Sequence, residues 1–375
     1  MEIKIPSQIF SKIFSKLRIK VTPKDCLGID IGTSSIKIVS LSKVGSRVKL
    51  DNYGETSAQI FYEKPFRTFE KSTLLLSTGE IAKAVQAILN EAKIATKSAI
   101  FSIPDFSSFF TNFELPQMTP KELPDAVRYE APQHIPLPIS EVTIDWQVIG
   151  GHLADRKGTK LKILLVAVPN EIINQYREIA QRSEIKLSGL EAEVFGISRL
   201  VTGEEKNTVG LVDIGAQSTT ISIIDAGLLK VSHSFDIAGN ELTQILSKSL
   251  NIDSKTAEEF KKRYGLLDTL EENGQKVGKI LSPLIDSILD EISRTYQNFF
   301  QTEKKEVSKI ILAGGCALIP GLKEYFSSAL KKEVNIINPF TDFSYPPILE
   351  PVLREIGPSY AIAVGAALRG LEQKL

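Results

Sequence analysis

"CLGIDIGTSSIKIVSL" (residues 26–41) is the stretch on which the reading of this chain turns. Apolar residues alternate up to a single acid, Asp30. Gly32, Thr33, Ser34 and Ser35 follow, and apolar alternation then resumes around Lys37. The pattern predicts two strands, 27–31 and 35–41, joined by a short polar turn. Such a turn presents several backbone N–H groups in one direction, which suits phosphate, and the hydroxyls add donors. An acid beside it repels phosphate unless a cation lies between them. Asp30 therefore makes chemical sense facing a Mg²⁺ that keeps much of its water shell. Lys37 then reaches back to the phosphate as a point charge.

The same pattern recurs in "VGLVDIGAQSTTISIID" (209–225), with Asp213 in the place of Asp30 and Gly215, Ala216, Gln217 and Ser218 as the turn. This is one internal echo, not a short-period repeat array, and it predicts two lobes built on one hairpin. A single turn of this kind reads better as an ordinary hairpin with an exposed acid, because so short a motif is weak. Two copies in matching contexts favour phosphate and metal. A third stretch, "VSKIILAGGCALIPGLKEYFSSAL" (307–330), reads as strand, glycine turn and helix. Gly314 and Gly315 either let the backbone approach a flat ring or simply make a tight strand-to-helix turn.

A chain of 375 residues exceeds a single small core and points to two or more domains or lobes. Hydrophobic residues at 42% and charged residues at 24% match a soluble globular protein. The formal net charge of +0 argues against broad nucleic-acid binding. Cys26 and Cys316 are the two cysteines and there are three histidines, too few for a disulfide framework or a zinc site. The reducing cytoplasm is the compartment expected. No run approaches the roughly 18–20 apolar residues of a membrane span, and the N-terminus lacks the pattern of a signal peptide. In residues 1–20, Ile9, Phe10, Ile13, Phe14 and Leu17 recur at helical spacing beside Lys12, Lys16 and Arg18. Two readings stand side by side: a basic amphipathic helix at an anionic membrane surface, or one docked on the protein's own body or on a partner.

Along the chain, a strand meander (27–31, 35–41, 47–55) precedes a helix over 77–94 with Thr78 as N-cap, then a strand over 98–104. Between 107 and 169 the order is strand (107–116), helix (119–135, started by Thr119 and Pro120) and two strands (142–150, 160–169). That order predicts a compact inserted unit. Further helices are expected over 170–185, 193–203, 240–250 and 254–265, from about Pro283 to Phe300, and over 357–375.

Together, "GIDIGTSSIKIV", "GLVDIGAQSTTISII" and "IILAGGCALIPGL" resemble the two phosphate motifs and the adenosine motif of the actin-like ATPase superfamily, which includes actin, sugar kinases and the division protein FtsA. The resemblance implies an α/β fold of two lobes with a nucleotide cleft. Within the superfamily, "LPDAVRYEAPQHIPLPISEVTIDWQVIGG" (123–151) and "LLVAVPNEIINQYREIAQRSEIKLSGLEAEVFGISRL" (164–200) are similar to the type IV pilus assembly protein PilM family. The strand-helix-strand-strand insert matches the subdomain, 1C, that PilM and FtsA carry in place of actin's 1B. The implied boundaries are a basic leader (1–24), lobe 1 (25–105, continued over 170–208), the 1C-like insert (106–169), lobe 2 (209–340, with a small subdomain at about 250–305) and a return to lobe 1 (341–375).

The resemblance also implies a site, with ATP and Mg²⁺ as its ligands. Asp30 and Asp213 match the metal-facing acids, and Gly32, Thr33, Ser34 and Ser35 the first phosphate loop, with Lys37 as its phosphate-contacting lysine. Gly215, Ala216, Gln217 and Ser218 match the second loop. Glu193 falls where a carboxylate orients water around the metal, and Glu191 competes for that place. Glu258 and Lys261 resemble the ribose- and adenine-facing pair, and Gly239, Gly314 and Gly315 line the adenosine pocket. Ala216 and Gln217 stand where chaperone-type members have a glycine run and would narrow the approach to the γ-phosphate, so ATP binding with at most slow hydrolysis is the expectation.

The family implies a cytoplasmic scaffold of the pilus machinery at the inner face of the cytoplasmic membrane. Near subdomain 1C, within 107–150, it would dock the cytoplasmic N-terminal tail of a bitopic PilN-like protein, with nucleotide state coupled to assembly. The alternative is an FtsA-like filament-forming division protein. FtsA typically carries its membrane helix at the C-terminus, whereas "LRGLEQKL" here continues the closing helix. Self-association stays open under both readings. A small-molecule kinase needs a base carboxylate, and Asp105, Asp125 and Asp145 stand in no recognisable context for one.

Overall fold

In a computed structural model of the chain, the described residues are 25–58, 64–70, 73–151, 160–201, 207–267 and 269–372. The amphipathic pattern of residues 1–20 lies outside them. The described chain divides into two compact units, one of 25–46, 50–193 and 366–372, the other of 47–49 and 194–365.

The first unit contains β1 (Asp25–Ile31), β2 (Ser35–Val44), β3 (Arg47–Ser57, its first residues apart), β4 (Arg67–Glu70), β5 (Thr73–Leu76), α1 (Thr78–Glu91), β6 (Ser98–Ile103), β7 (Phe109–Leu115), α2 (Leu123–Glu130), β8 (Val142–Gly150), β9 (Leu161–Pro169), α3 (Asn170–Arg182) and β10 (Lys186–Ala192). In its large sheet the strands follow one another as β10-β6-β1-β2-β3. The β1–β2 pair is antiparallel with Asp30 opposite Lys37 and Ile31 opposite Ile36, while β6 runs parallel to β1 and to β10. Side chains alternate across a sheet. Leu27, Ile29 and Ile31 therefore enter one cluster with Ile81, Val85 and Ile88 of α1 and Ile172, Tyr176 and Ile179 of α3. Cys26 and Asp30 take the other parity, and there Cys26 lies against Gly370, where an added Cβ would overlap its sulfur. Ser77, not Thr78, occupies the N-cap of α1, and Thr78 is its first helical residue.

The insert is a three-stranded antiparallel sheet in the order β7-β9-β8. Phe113, Leu115, Leu161, Ile163 and Leu165 of the sheet meet Leu123 and Val127 of α2 in a core of their own. The strand-helix-strand-strand order expected from the sequence holds, but the helix is shorter. Thr119 donates through its backbone N–H and its hydroxyl to Glu122 Oε2 at 2.8 and 2.7 Å. That closes a turn before the helix. Pro124, near the first helical position, takes the role given to Pro120.

The second unit repeats the plan of the first. Its elements are β11 (Thr208–Ile214), β12 (Thr219–Asp225), β13 (Leu228–Phe235), α5 (Gly239–Leu250), α6 (Ser254–Tyr264), α7 (Glu272–Glu303), β14 (Lys309–Ala313), α8 (Leu322–Leu330) and β15 (Glu333–Ile336); α4 (Glu193–Val201) precedes them and α9 (Glu350–Leu371) closes the chain. The sheet order is β13-β12-β11-β14-β15. An antiparallel meander is followed by two parallel strands, as in β3-β2-β1-β6-β10. Asp213 lies opposite Thr220 and Ile214 opposite Thr219, the register found around Asp30. The core joins Val212, Ile214, Ile221 and Ile223 to Leu242 and Leu246 of α5 and to Leu281, Ile285, Ile288 and Ile292 of α7.

Two helices begin earlier than the starts expected at about Pro283 and at Gly357, and each carries a proline inside it. Pro283 does not open its helix; it sits inside α7, which begins at Glu272. Proline removes one backbone donor there, and the hydroxyl of Ser282 lies 3.5 Å from the Lys279 carbonyl that loses its partner. The closing helix begins at Glu350, and Pro358 lies within it. Tertiary packing of an apolar stripe outweighs the local penalty of one proline in both cases.

Candidate functional site

The first turn is closed by the Gly32 N–H, which donates to the Ser35 carbonyl at 2.9 Å. A Cβ on Gly32 would lie 2.8 Å from that oxygen, so the turn needs glycine. The carbonyls of Thr33 and Ser34 accept from the N–H groups of Phe66 (3.2 Å) and Ala58 (2.8 Å), which fixes the loop from outside. Lys37 Nζ donates to Ser35 Oγ at 2.6 Å and lies 3.5 Å from Glu55. Asp30 is buried and accepts from Ser102 Oγ at 2.9 Å. Arg67 is buried as well, donating through Nε to Thr33 Oγ1 at 3.2 Å and through Nη1 to Glu193 Oε1 at 2.8 Å.

Burial, and then the nearby Glu193 carboxylate, push the Asp30 pKa up to about 6 against the opposing charges of Lys37 and Arg67. A raised carboxyl pKa stabilises the folded state below the unfolded value, and that contribution is lost as pH rises through the folded one. In metal-free protein, Asp30→Asn is therefore expected to raise the melting temperature more at pH 8 than at pH 4, since asparagine keeps an acceptor for Ser102. Paired melts of both proteins in EDTA across that range check this. An equal shift at both pH values would contradict it.

The second turn has the same closure: the Gly215 N–H donates to the Ser218 carbonyl at 3.0 Å. It is anchored by the start of α5, where the Gly239 N–H reaches the Gly215 carbonyl at 3.0 Å and the Asn240 N–H the Ala216 carbonyl at 2.7 Å. A Cβ on Gly239 would lie 2.6 Å from Cys316 Sγ and 3.1 Å from Gly215 O. Close contact with the 313–322 turn thus requires that glycine. Lys261 is buried and spans this region, with Nζ at 2.9 Å from Gly239 O, 2.8 Å from Thr243 Oγ1 and 2.6 Å from Glu258 Oε2. Burial raises the Glu258 carboxyl, but Lys261 and the Thr243 hydroxyl outweigh it and hold it below the usual range. Burial pushes the Cys316 thiol up, away from reactivity. Gly314 has φ +87°, and a Cβ there would come within 2.4 Å of Asp213 Oδ1 and of Ile214 O.

The first turn thus brings one carboxylate, Asp30, together with the hydroxyls of Thr33, Ser34 and Ser35, and the second brings Asp213 together with the hydroxyl of Ser218. That donor set suits a hydrated Mg²⁺ carrying phosphate better than a fully dehydrated ion in a protein cage. Among the described residues there is no cluster of three or more His, Cys, Asp or Glu side chains placed to form such a cage. Of the sequence-derived candidates, Asp30, Gly32, Thr33, Ser35, Lys37 and Glu193 gather in the first unit, with Ser34 exposed beside them. Asp213, Gly215, Ala216, Ser218, Gly239, Glu258, Lys261 and Gly314 gather in the second; Gln217 completes that turn. Gly315 stands apart: it is exposed, and a Cβ on it would touch nothing within 4 Å. The geometry also separates Glu193 from Glu191. Glu193 acts electrostatically on Asp30, while Glu191 lies 3.3 Å from Arg369. Sequence reasoning missed Arg67 and Thr243. Neither lies in a motif, and only the fold carries them to the turns.

Solved structures of actin-like fold resemble this chain. A PilM-PilN type IV pilus biogenesis complex matches with a TM-score of 0.79 and 23% identity, covering 94% of this chain and 100% of that one. The ethanolamine utilization protein EutJ from Carboxydothermus hydrogenoformans gives 0.56 at 17% identity (94% and 92%). MreB 5 of Spiroplasma citri bound to AMPPNP gives 0.53 at 13% identity (92% and 95%). Among curated sequences, the cell division protein FtsA of Bacillus subtilis (strain 168) is 20% identical over 346 residues, 84% of this chain and 78% of its own length. The family model described as "Type IV pilus assembly protein PilM" matches residues 28–371. A match across nearly the whole chain, on an actin-like fold with both turns in place, shows that this protein belongs to the type IV pilus assembly protein PilM family.

Proposed function

We propose that the protein is an ATP-binding scaffold of type IV pilus assembly. The two turns take the phosphates of Mg²⁺-ATP, with Asp30 and Asp213 facing the metal through its waters and Glu193 beside Asp30. Glu258, Lys261, Gly239 and the Gly314 turn serve the adenosine end. Bound Mg²⁺ would neutralise phosphate charge; this chain's residues hold and orient it. The observation that carries the reading is the repetition of one turn, with one register and one acid, in both units of a family member. The working division is lobe 1 at 25–105 and 170–208, the 1C-like insert at 106–169, lobe 2 at 209–340 and a return at 341–375. On this reading the insert region docks the cytoplasmic tail of a PilN-like membrane protein, which would hold the scaffold at the inner face of the membrane. Among the described residues no helix is long and apolar enough to cross it.

Calorimetric titration tests both parts. Mg²⁺-ATP should bind the wild type, and Asp213→Asn should weaken that binding by about 10–100-fold, the usual range for disturbing a metal's partners, with little effect when Mg²⁺ is replaced by EDTA. A peptide copying the tail of the neighbouring single-span pilus protein should bind, with an affinity that Mg²⁺-ATP changes. A folded protein that takes up neither ligand would overturn the reading. The FtsA similarity over 84% of the chain favours one further reading, nucleotide-dependent self-assembly, and sedimentation with and without Mg²⁺-ATP decides it.

A further inference from the structure

The first turn is tied to a side chain that no motif marks. The Arg67 guanidinium uses two edges: Nε donates to Thr33 Oγ1 at 3.2 Å and Nη1 to Glu193 Oε1 at 2.8 Å. Its central carbon sits 5.2 Å from the centre of the Phe106 ring, a cation–π distance. We propose that Arg67 is a positioning residue of the first turn, setting the Thr33 hydroxyl and the Glu193 carboxylate beside Asp30 so that the turn is preorganised for the Mg²⁺-bound phosphate end of a nucleotide. This rests on the nucleotide reading and goes beyond it by naming the group that orders the site.

Three observations converge on it. A planar fork with acceptors on two edges fixes both their separation and their orientation, which an ammonium does not do. Thr33 belongs to the turn itself, whereas Glu193 begins α4, so one side chain joins loop and helix start. Lys37, the other cation of the cluster, is engaged with Ser35 and Glu55, which leaves Arg67 as the cation that touches Glu193. Burying an arginine and a glutamate together is a weak route to stability. Orientation of a ligand-facing carboxylate gives the arrangement a purpose that packing alone lacks.

The test is Arg67→Lys in the full chain, which keeps the charge and loses the fork. Calorimetry gives the ratio of ATP Kd in EDTA to that in Mg²⁺. The expected result is a fall in this ratio of about 10–100-fold, the range for loss of an outer-shell partner, while Mg²⁺-free binding changes less than about threefold. Hydrogen exchange of ligand-free protein should quicken across 32–35 and stay unchanged across 215–218. An unchanged ratio, or equal loss with and without Mg²⁺, overturns the proposal. Wild-type protein that binds no ATP in either buffer overturns the nucleotide reading instead. The exchange arm then decides Arg67 on its own, with unchanged exchange at 32–35 counting against it. Should Arg67→Lys yield no folded protein, Arg67→Met with Glu193→Gln removes both charges together and must show the same selective loss.

Discussion

Arg67→Met lowers the resistance of the first unit to urea by about 3–5 kcal/mol, the usual result of removing one partner of a buried ion pair. The variant leaves the buried Glu193 carboxylate without its guanidinium partner, near enough to Asp30 to push the Asp30 pKa up. Thr33 loses its Nε donor and Phe106 its cation. Adding Glu193→Gln should recover more than half of the loss, because a neutral amide does not leave an uncompensated charge behind. Trp146, the single tryptophan, lies on β8 in the same unit, so its fluorescence reports unfolding where the substitution acts. A double variant no more stable than Arg67→Met would show that the deficit comes from lost packing and not from charge.

Gly314→Ala and Gly315→Ala should differ sharply although the two residues are neighbours. At Gly314 the backbone is left-handed, φ +87°, and the new Cβ would lie 2.4 Å from both Asp213 Oδ1 and Ile214 O. The backbone conformation alone disfavours alanine by about 1–2 kcal/mol. Relieving the contact means moving the end of β11 or displacing the Asp213 carboxylate. We expect a total loss of about 3 kcal/mol or more in the second unit, within the range for strain at a special backbone position, together with loss of measurable Mg²⁺-ATP binding. Gly315→Ala should stay within about 0.5 kcal/mol of wild type, as nothing stands within 4 Å of its Cβ. Circular dichroism melts and calorimetry on the pair measure both effects. Equal behaviour would mean that the close approach of Gly314 to Asp213 does not govern the second turn.

Much of the site is legible because its logic is local. Asp30 and Gly32, and Asp213 and Gly215, lie two residues apart, and a hairpin places acid and turn together by its own hydrogen bonds. The glycine pair at 314–315 was legible as a turn, but not as one strained glycine and one open one. That distinction depends on which carboxylate lies opposite, and Asp213 is some hundred positions away in the chain. The helix starts expected at about Pro283 and at Gly357 fall short for a related reason. A cap or a proline carries a local preference of about 1–3 kcal/mol, and burial of a long apolar stripe, as in α7, exceeds it.

The duplicated hairpin, the acid and glycine turn of each copy and the strand-helix-strand-strand insert are all readable from the chain alone. These follow from alternation and short-range turn chemistry, which involve residues that are neighbours in the chain. Side-chain partners, by contrast, come from packing: Glu193 meets Arg67 while Glu191 goes to Arg369, Arg67 joins Thr33 to Glu193, and Lys261 is held by Gly239, Thr243 and Glu258. The physical reason is sequence separation. A parallel sheet brings β1, β6 and β10 side by side from positions tens of residues apart. The partner of a buried charge is set by that packing and leaves no periodic trace in the chain.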